Sequence, residues 1–128
     1  MIYYVTIGTN DFPRSARFYD AVLPALGHAK QFEGHGFAGY GPDPDQPQVF
    51  LGRPFDGKPA TVGNGMMVAF EAKTAQAVRD FHAAALANGG SDEGAPGIRD
   101  RYAPDFYAAY VRDPEGNKLA AVARTTEV

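Results

Sequence analysis

No cysteine occurs anywhere in the 128 residues. Disulfides, thiolate metal sites and cysteine nucleophiles are therefore excluded, and the composition suits a reducing compartment such as the cytoplasm. A basic surplus is missing too: 12 Lys and Arg stand against 15 Asp and Glu, for a net charge of −3. A nucleic-acid-binding chain carries such a surplus or a basic run, so nucleic acid is not an expected partner. The acidic balance suits a cationic small molecule better. No apolar run approaches the roughly 18 residues that a bilayer-spanning helix needs. The start, Met1-Ile2-Tyr3-Tyr4-Val5, has no basic stretch ahead of an apolar one. The expectation is a soluble, cytoplasmic protein without a membrane partner. Phosphate-loop and hydrolase signatures are also lacking. Gly63-Asn64-Gly65 lacks the lysine of a phosphate loop and reads as a turn. No Ser-His-Asp set or carboxylate pair stands at a telling spacing.

What is present is an internal repeat. Ile2 to Gly8 alternates in the manner of a half-buried strand. Asn10 or Asp11 can cap the helix that follows, Pro13 suits its first turn, and Phe18, Val22 and Leu26 recur at helical spacing up to Gly27. Further along, Val68 and Phe70 match Val5 and Ile7. Phe81, Ala84, Leu86 and Gly90 match Phe18, Ala21, Leu23 and Gly27, all at one constant offset, with Thr74 as the second cap. Ala38-Gly39-Tyr40 through Asp43-Pro44-Asp45 then resembles Ala108-Ala109-Tyr110 through Asp113-Pro114-Glu115 at a larger offset. The difference fits an insertion around Glu93 to Pro104. Each half reads strand, helix, strand, strand, strand. Module one covers 1–57, module two 63–128, and a Pro- and Gly-rich stretch joins them. Helices are expected over about 12–26 and 75–88. The fold class is α+β: two βαβββ modules forming a curved mixed β-sheet, with helices on its outer face and a central cleft. Clefts of that kind are default ligand sites.

The strand Tyr4-Val5-Thr6-Ile7-Gly8, the Ser15–Tyr19 helix segment and the turn Asp113-Pro114-Glu115-Gly116-Asn117 resemble the vicinal oxygen chelate pattern, the superfamily of glyoxalases, bleomycin resistance proteins and ring-cleaving dioxygenases. The resemblance covers almost the whole chain. It implies a divalent metal in the cleft, held by His on the first strand and Glu, Gln or His on the fourth strand of each module. Those positions carry Tyr4, Phe50, Met67 and Ala120 here. Zinc, nickel, manganese or ferrous iron needs imidazole or carboxylate donors, so no metal or other cofactor is expected.

Strand alternation sends Val5, Ile7, Val49, Leu51, Val68, Phe70, Leu119 and Ala121 to the core. Tyr4, Thr6, Gln48, Phe50, Met67, Ala69 and Ala120 then face the cleft. Tyr107 is placed there as well. Arg101 and Tyr102 lie in a loop at the cleft mouth, where they suit an anionic group. The candidate substrate-binding set is Tyr4, Gln48, Phe50, Met67, Tyr102, Tyr107 and Ala120. His28, His35 and His82 fall on no metal position; a site from Glu71, His35 and Glu33 is the remote exception. Two function classes stay open. One is a small-molecule binder of the bleomycin-resistance kind, a homodimer like those relatives. The other is a glyoxalase-like lyase or dioxygenase, using a relocated metal or acid–base chemistry by Tyr4 or Tyr107.

Overall fold

The computed structural model describes Met1–Val128. Module one holds β1 (Val5–Gly8), α1 (Phe12–Val22), a short 3-10 turn (Pro24–Leu26), β2 (Ala29–Gly34), β3 (Phe37–Gly41) and β4 (Val49–Gly52). Module two holds β5 (Met67–Glu71), α2 (Ala75–Ala87), β6 (Ser91–Ile98), β7 (Phe106–Arg112) and β8 (Lys118–Arg124). Each βαβββ unit makes a four-stranded mixed sheet. The order is β1-β4-β3-β2 in one and β5-β8-β7-β6 in the other, with β1 parallel to β4 and β5 parallel to β8. No helix is long and apolar enough to cross a membrane.

The helices begin where their caps stand. The Asp11 side chain accepts the Arg14 backbone N–H, and the Thr74 hydroxyl accepts that of Ala77. Asn10 does not cap; its amide pairs with the backbone of Ala60 in both directions, tying the start of α1 to the linker. The first helix also stops earlier than its apolar spacing suggests. Pro24 has no N–H to continue the ladder, so the chain tightens into the 3-10 turn and leaves it at Gly27, which has φ 87°.

The two sheets of the chain are not joined by a strand ladder. Their joint is made by helices and turns instead. α1 packs on α2, and α2 also covers β6, β7 and β8. A single cluster of 22 buried residues draws Phe18, Tyr19 and Val22 from α1 and Val78 and Phe81 from α2. Its walls are Val49 and Leu51 on one sheet and Val111 and Leu119 on the other. One core therefore serves both modules. Ile7, Val49, Leu51, Leu119 and Ala121 lie in it as expected, and Val5, Val68 and Phe70 pack against its edge. A polar clasp closes the joint: Glu115 of the β7–β8 turn accepts from the Asn10 backbone N–H at 2.6 Å and the Thr9 hydroxyl at 2.9 Å.

Candidate functional site

With one face of each sheet committed to the shared core, the opposite face lies outside it. On module one that face is aromatic. Tyr4 lies just ahead of β1 and stacks edge-on against Phe50 of β4 at 4.9 Å between ring centroids. Phe32 of β2 continues the row, 5.9 Å from Phe50. Glycine makes this possible. A Cβ on Gly39 would sit 2.3 Å from the Phe32 ring, so only a bare backbone lets that ring lie across β3. Tyr4 is 52% exposed. A hollow of about 640 Å³ opens beside the row, lined by Thr6, Phe37, Phe50 and Arg53 among others. Gln48 is exposed immediately before β4, and its backbone accepts from Val5 and donates to Tyr40.

On module two, Met67 pairs with Lys118, and Ala69 with Ala120. Met67 and Tyr102 line a second hollow of about 630 Å³, together with Phe106, Tyr110, Arg99 and Lys118. Ala120 stands in register between Ala69 and Tyr110 and is wholly covered. Phe50 and Met67 thus border different hollows, one on each module. The chain brings together Tyr4 with Phe50, and Met67 with Tyr102.

Tyr107 is not on this face. It belongs to the core cluster, and its hydroxyl accepts a hydrogen bond from Arg79 of α2 at 3.2 Å. The cause is a one-residue slip in the repeat. Tyr40 pairs with Val49, whereas it is Val111 that pairs with Leu119. Tyr40 therefore matches Val111 in space, not the Tyr110 that it matches in sequence. A slip of one residue exchanges the two faces of a strand. Phe106, Ala108 and Tyr110 turn outward, while Tyr107, Ala109 and Val111 turn inward. Phe106, Tyr110, Arg99 and Lys118 are the site residues that the sequence reading missed. Fixing β7 by its buried Val111 would have found the two aromatics.

At the four positions that the family pattern assigns to metal ligands stand a phenol, a phenyl ring, a thioether and a methyl group: Tyr4, Phe50, Met67 and Ala120. They do not fit a divalent ion. Elsewhere, no three His, Asp or Glu side chains converge as a metal-binding group, and Glu71, Glu33 and His35 do not come together. His82 instead bridges α2 to Asp92 of β6 at 2.8 Å. The Nδ1 of His28 is buried without a hydrogen-bond partner, and burial holds its pKa below the ordinary histidine value.

No protein-family model matches the sequence, and no curated protein matches it either. Solved structures do. A glyoxalase/bleomycin resistance protein from Albidiferax ferrireducens is 39% identical, with a TM-score of 0.84, the match covering 95% of this chain and 97% of that one. A glyoxalase-related enzyme from Fulvimarina pelagi is 20% identical at a TM-score of 0.73, over 96% and 87% of the two chains. A glyoxalase/bleomycin resistance protein/dioxygenase family enzyme from Burkholderia phytofirmans is 20% identical at 0.69, over 96% and 98%. The latter two speak for the fold alone. The first, similar along nearly its whole length and bearing the same paired βαβββ modules, shows that this chain belongs to the glyoxalase/bleomycin resistance protein family.

Proposed function

We propose that this chain is a family member whose metal site has degenerated and which binds a small organic molecule on its aromatic sheet faces without a metal. The observation that carries the reading is the donor set. Tyr4, Phe50, Met67 and Ala120 offer neither imidazole nor carboxylate where the family pattern asks for them. The space and chemistry left behind suit a ligand: two hollows of about 630 and 640 Å³, walled by rings and by Met67. The lyase or dioxygenase reading is weaker, since Tyr107, one of its two candidate phenols, packs in the core.

The protein acts in this reading as a cytoplasmic homodimer. Tyr4, Phe32 and Phe37 are exposed around Phe50 on one sheet face, with Tyr3 against Tyr4. An apolar patch of that extent is usually an interface or a ligand surface.

Elemental analysis of protein purified without chelators tests the central claim, followed by a thermal-shift screen of small aromatic ligands. We expect zinc, nickel, manganese and iron far below one ion per chain, and stabilisation by at least one ligand. One equivalent of any of these metals, lost together with ligand binding on chelation, would refute the reading. Sedimentation should give twice the chain mass; a monomer at micromolar concentration would remove the dimer.

A further inference from the structure

The hollow on module two is cationic, although the chain carries a net charge of −3. Arg99, Arg101, Lys118 and Arg124 all line it. Arg124 is neutralised by Asp105 at 2.7 Å, and the one carboxylate on the rim, Glu93, is engaged by Arg112 at 3.2 Å. Arg99, Arg101 and Lys118 form no ion pair within the chain. Asp92 feels the charge of Arg99 but is hydrogen-bonded to His82.

Arg99 is held in place rather than waving in solvent. Its Nη1 donates to the Gly97 carbonyl and its Nη2 to that of Ala95, both at 2.7 Å. Its guanidinium lies over the Tyr110 ring, 5.3 Å from the centroid. Gly94 leaves the room: a Cβ there would be 3.1 Å from Nη2. A guanidinium has five N–H donors, so donors remain after these two bonds. Immobilising a side chain before the ligand arrives lowers the entropy lost on binding. Lys118 Nζ lies 5.7 Å from the same ring centroid. Two unpaired cations are thus gathered on one ring, and an anion beside them would relieve their mutual repulsion. Tyr102 and Phe106, edge-on at 5.2 Å, wall the hollow beyond.

We infer that this hollow recognises an organic anion, a carboxylate or phosphate ester on a planar apolar body, with the charged group held by Arg99 and Lys118 and the body laid against Tyr102 and Phe106. The inference rests on the small-molecule reading above and narrows its ligand class. It also reverses what overall acidity suggests, because a ligand meets the local field and not the net charge.

The test is an amide chemical-shift titration of the isotope-labelled full-length protein with four matched probes: naphthoate, naphthyl phosphate, naphthamide and naphthylmethylammonium. At least one anion should shift residues 93–106 and Lys118. It should bind at least about tenfold more tightly than naphthamide, the lower end of what one charge-assisted hydrogen bond supplies. The tighter of the two anions assigns carboxylate or phosphate. Arg99→Gln with Lys118→Gln should abolish the preference, while Lys58→Gln, exposed in the stretch between the modules, should leave it intact. If naphthamide or the ammonium binds these residues as tightly as both anions, the anion inference fails and the small-molecule reading survives. If the probes shift only residues of module one, the inference fails likewise. If none of the four shifts any residue, both fall together.

Discussion

Tyr19 is wholly buried on α1, and its phenol donates across the module joint to Asp113 of the β7–β8 turn at 2.5 Å. Burial first, then the Asp113 charge and the hydrogen bond to it, raise its pKa well above the ordinary tyrosine value, so it stays a neutral donor. Asp113 organises the turn as well, accepting from the backbone N–H groups of Glu115 and Asn117. Tyr19→Phe keeps the ring and removes the donor from a buried carboxylate. It should cost about 1–3 kcal/mol, read as a lower urea midpoint at unchanged slope; a midpoint equal to wild type would show that the bond contributes nothing net. The turn itself was readable in the sequence, because Asp-Pro-Glu-Gly-Asn has a local mechanism. Its partner was not, since nothing local in a helix stripe tells that one ring carries a hydroxyl to the other half.

Elements with strong local signals were found where the sequence put them, while those defined by their neighbours were not. Thr74 and Asp11 are caps whose chemistry is complete within four residues, and β4 and β8 repeat in phase. β7 is different, because its facing depends on which residue of β8 it meets. That is a long-range fact, and the shared Ala-x-Tyr spelling of the two modules pointed to the wrong register. The same holds for β6, whose pairing with β7 shifts between Asp92 and Gly97 and carries it on to Ile98; Arg99 follows directly and lies over Tyr110. Another element junction gives a sharp test. A Cβ on Gly90 would lie 2.6 Å from the Phe18 ring and 2.7 Å from the Arg112 carbonyl oxygen. The oxygen belongs to a paired strand and cannot retreat cheaply. Gly90→Ala should therefore cost about 1–3 kcal/mol as an overpacking change, measured by thermal or urea unfolding. A neutral result would mean that α1 stands further from the α2–β6 corner than described.

At the scale of the whole molecule, Glu115 is the group through which acid reaches the module joint. Burial works against its charge, but the Asn10 backbone N–H, the Thr9 hydroxyl and the Arg14 charge outweigh it and hold the pKa below the ordinary glutamate value. A group depressed on folding stabilises the protein above its unfolded pKa, about 4.3 for Glu. That contribution is lost as pH falls through the lower folded value. Glu115→Gln should be less stable at neutral pH by about 1–2 kcal/mol, and the gap to wild type should close below about pH 4. Parallel denaturant curves from neutral to acid pH would reveal a constant gap if the clasp is not electrostatic. The fused interior has a consequence of its own. Since α1 and α2 give their buried residues to one cluster shared by both sheets, neither βαβββ unit is a spare part that could be cut out, lent or exchanged. The two halves stand or fall as one object, and any change that suits one of them must also be acceptable to the other.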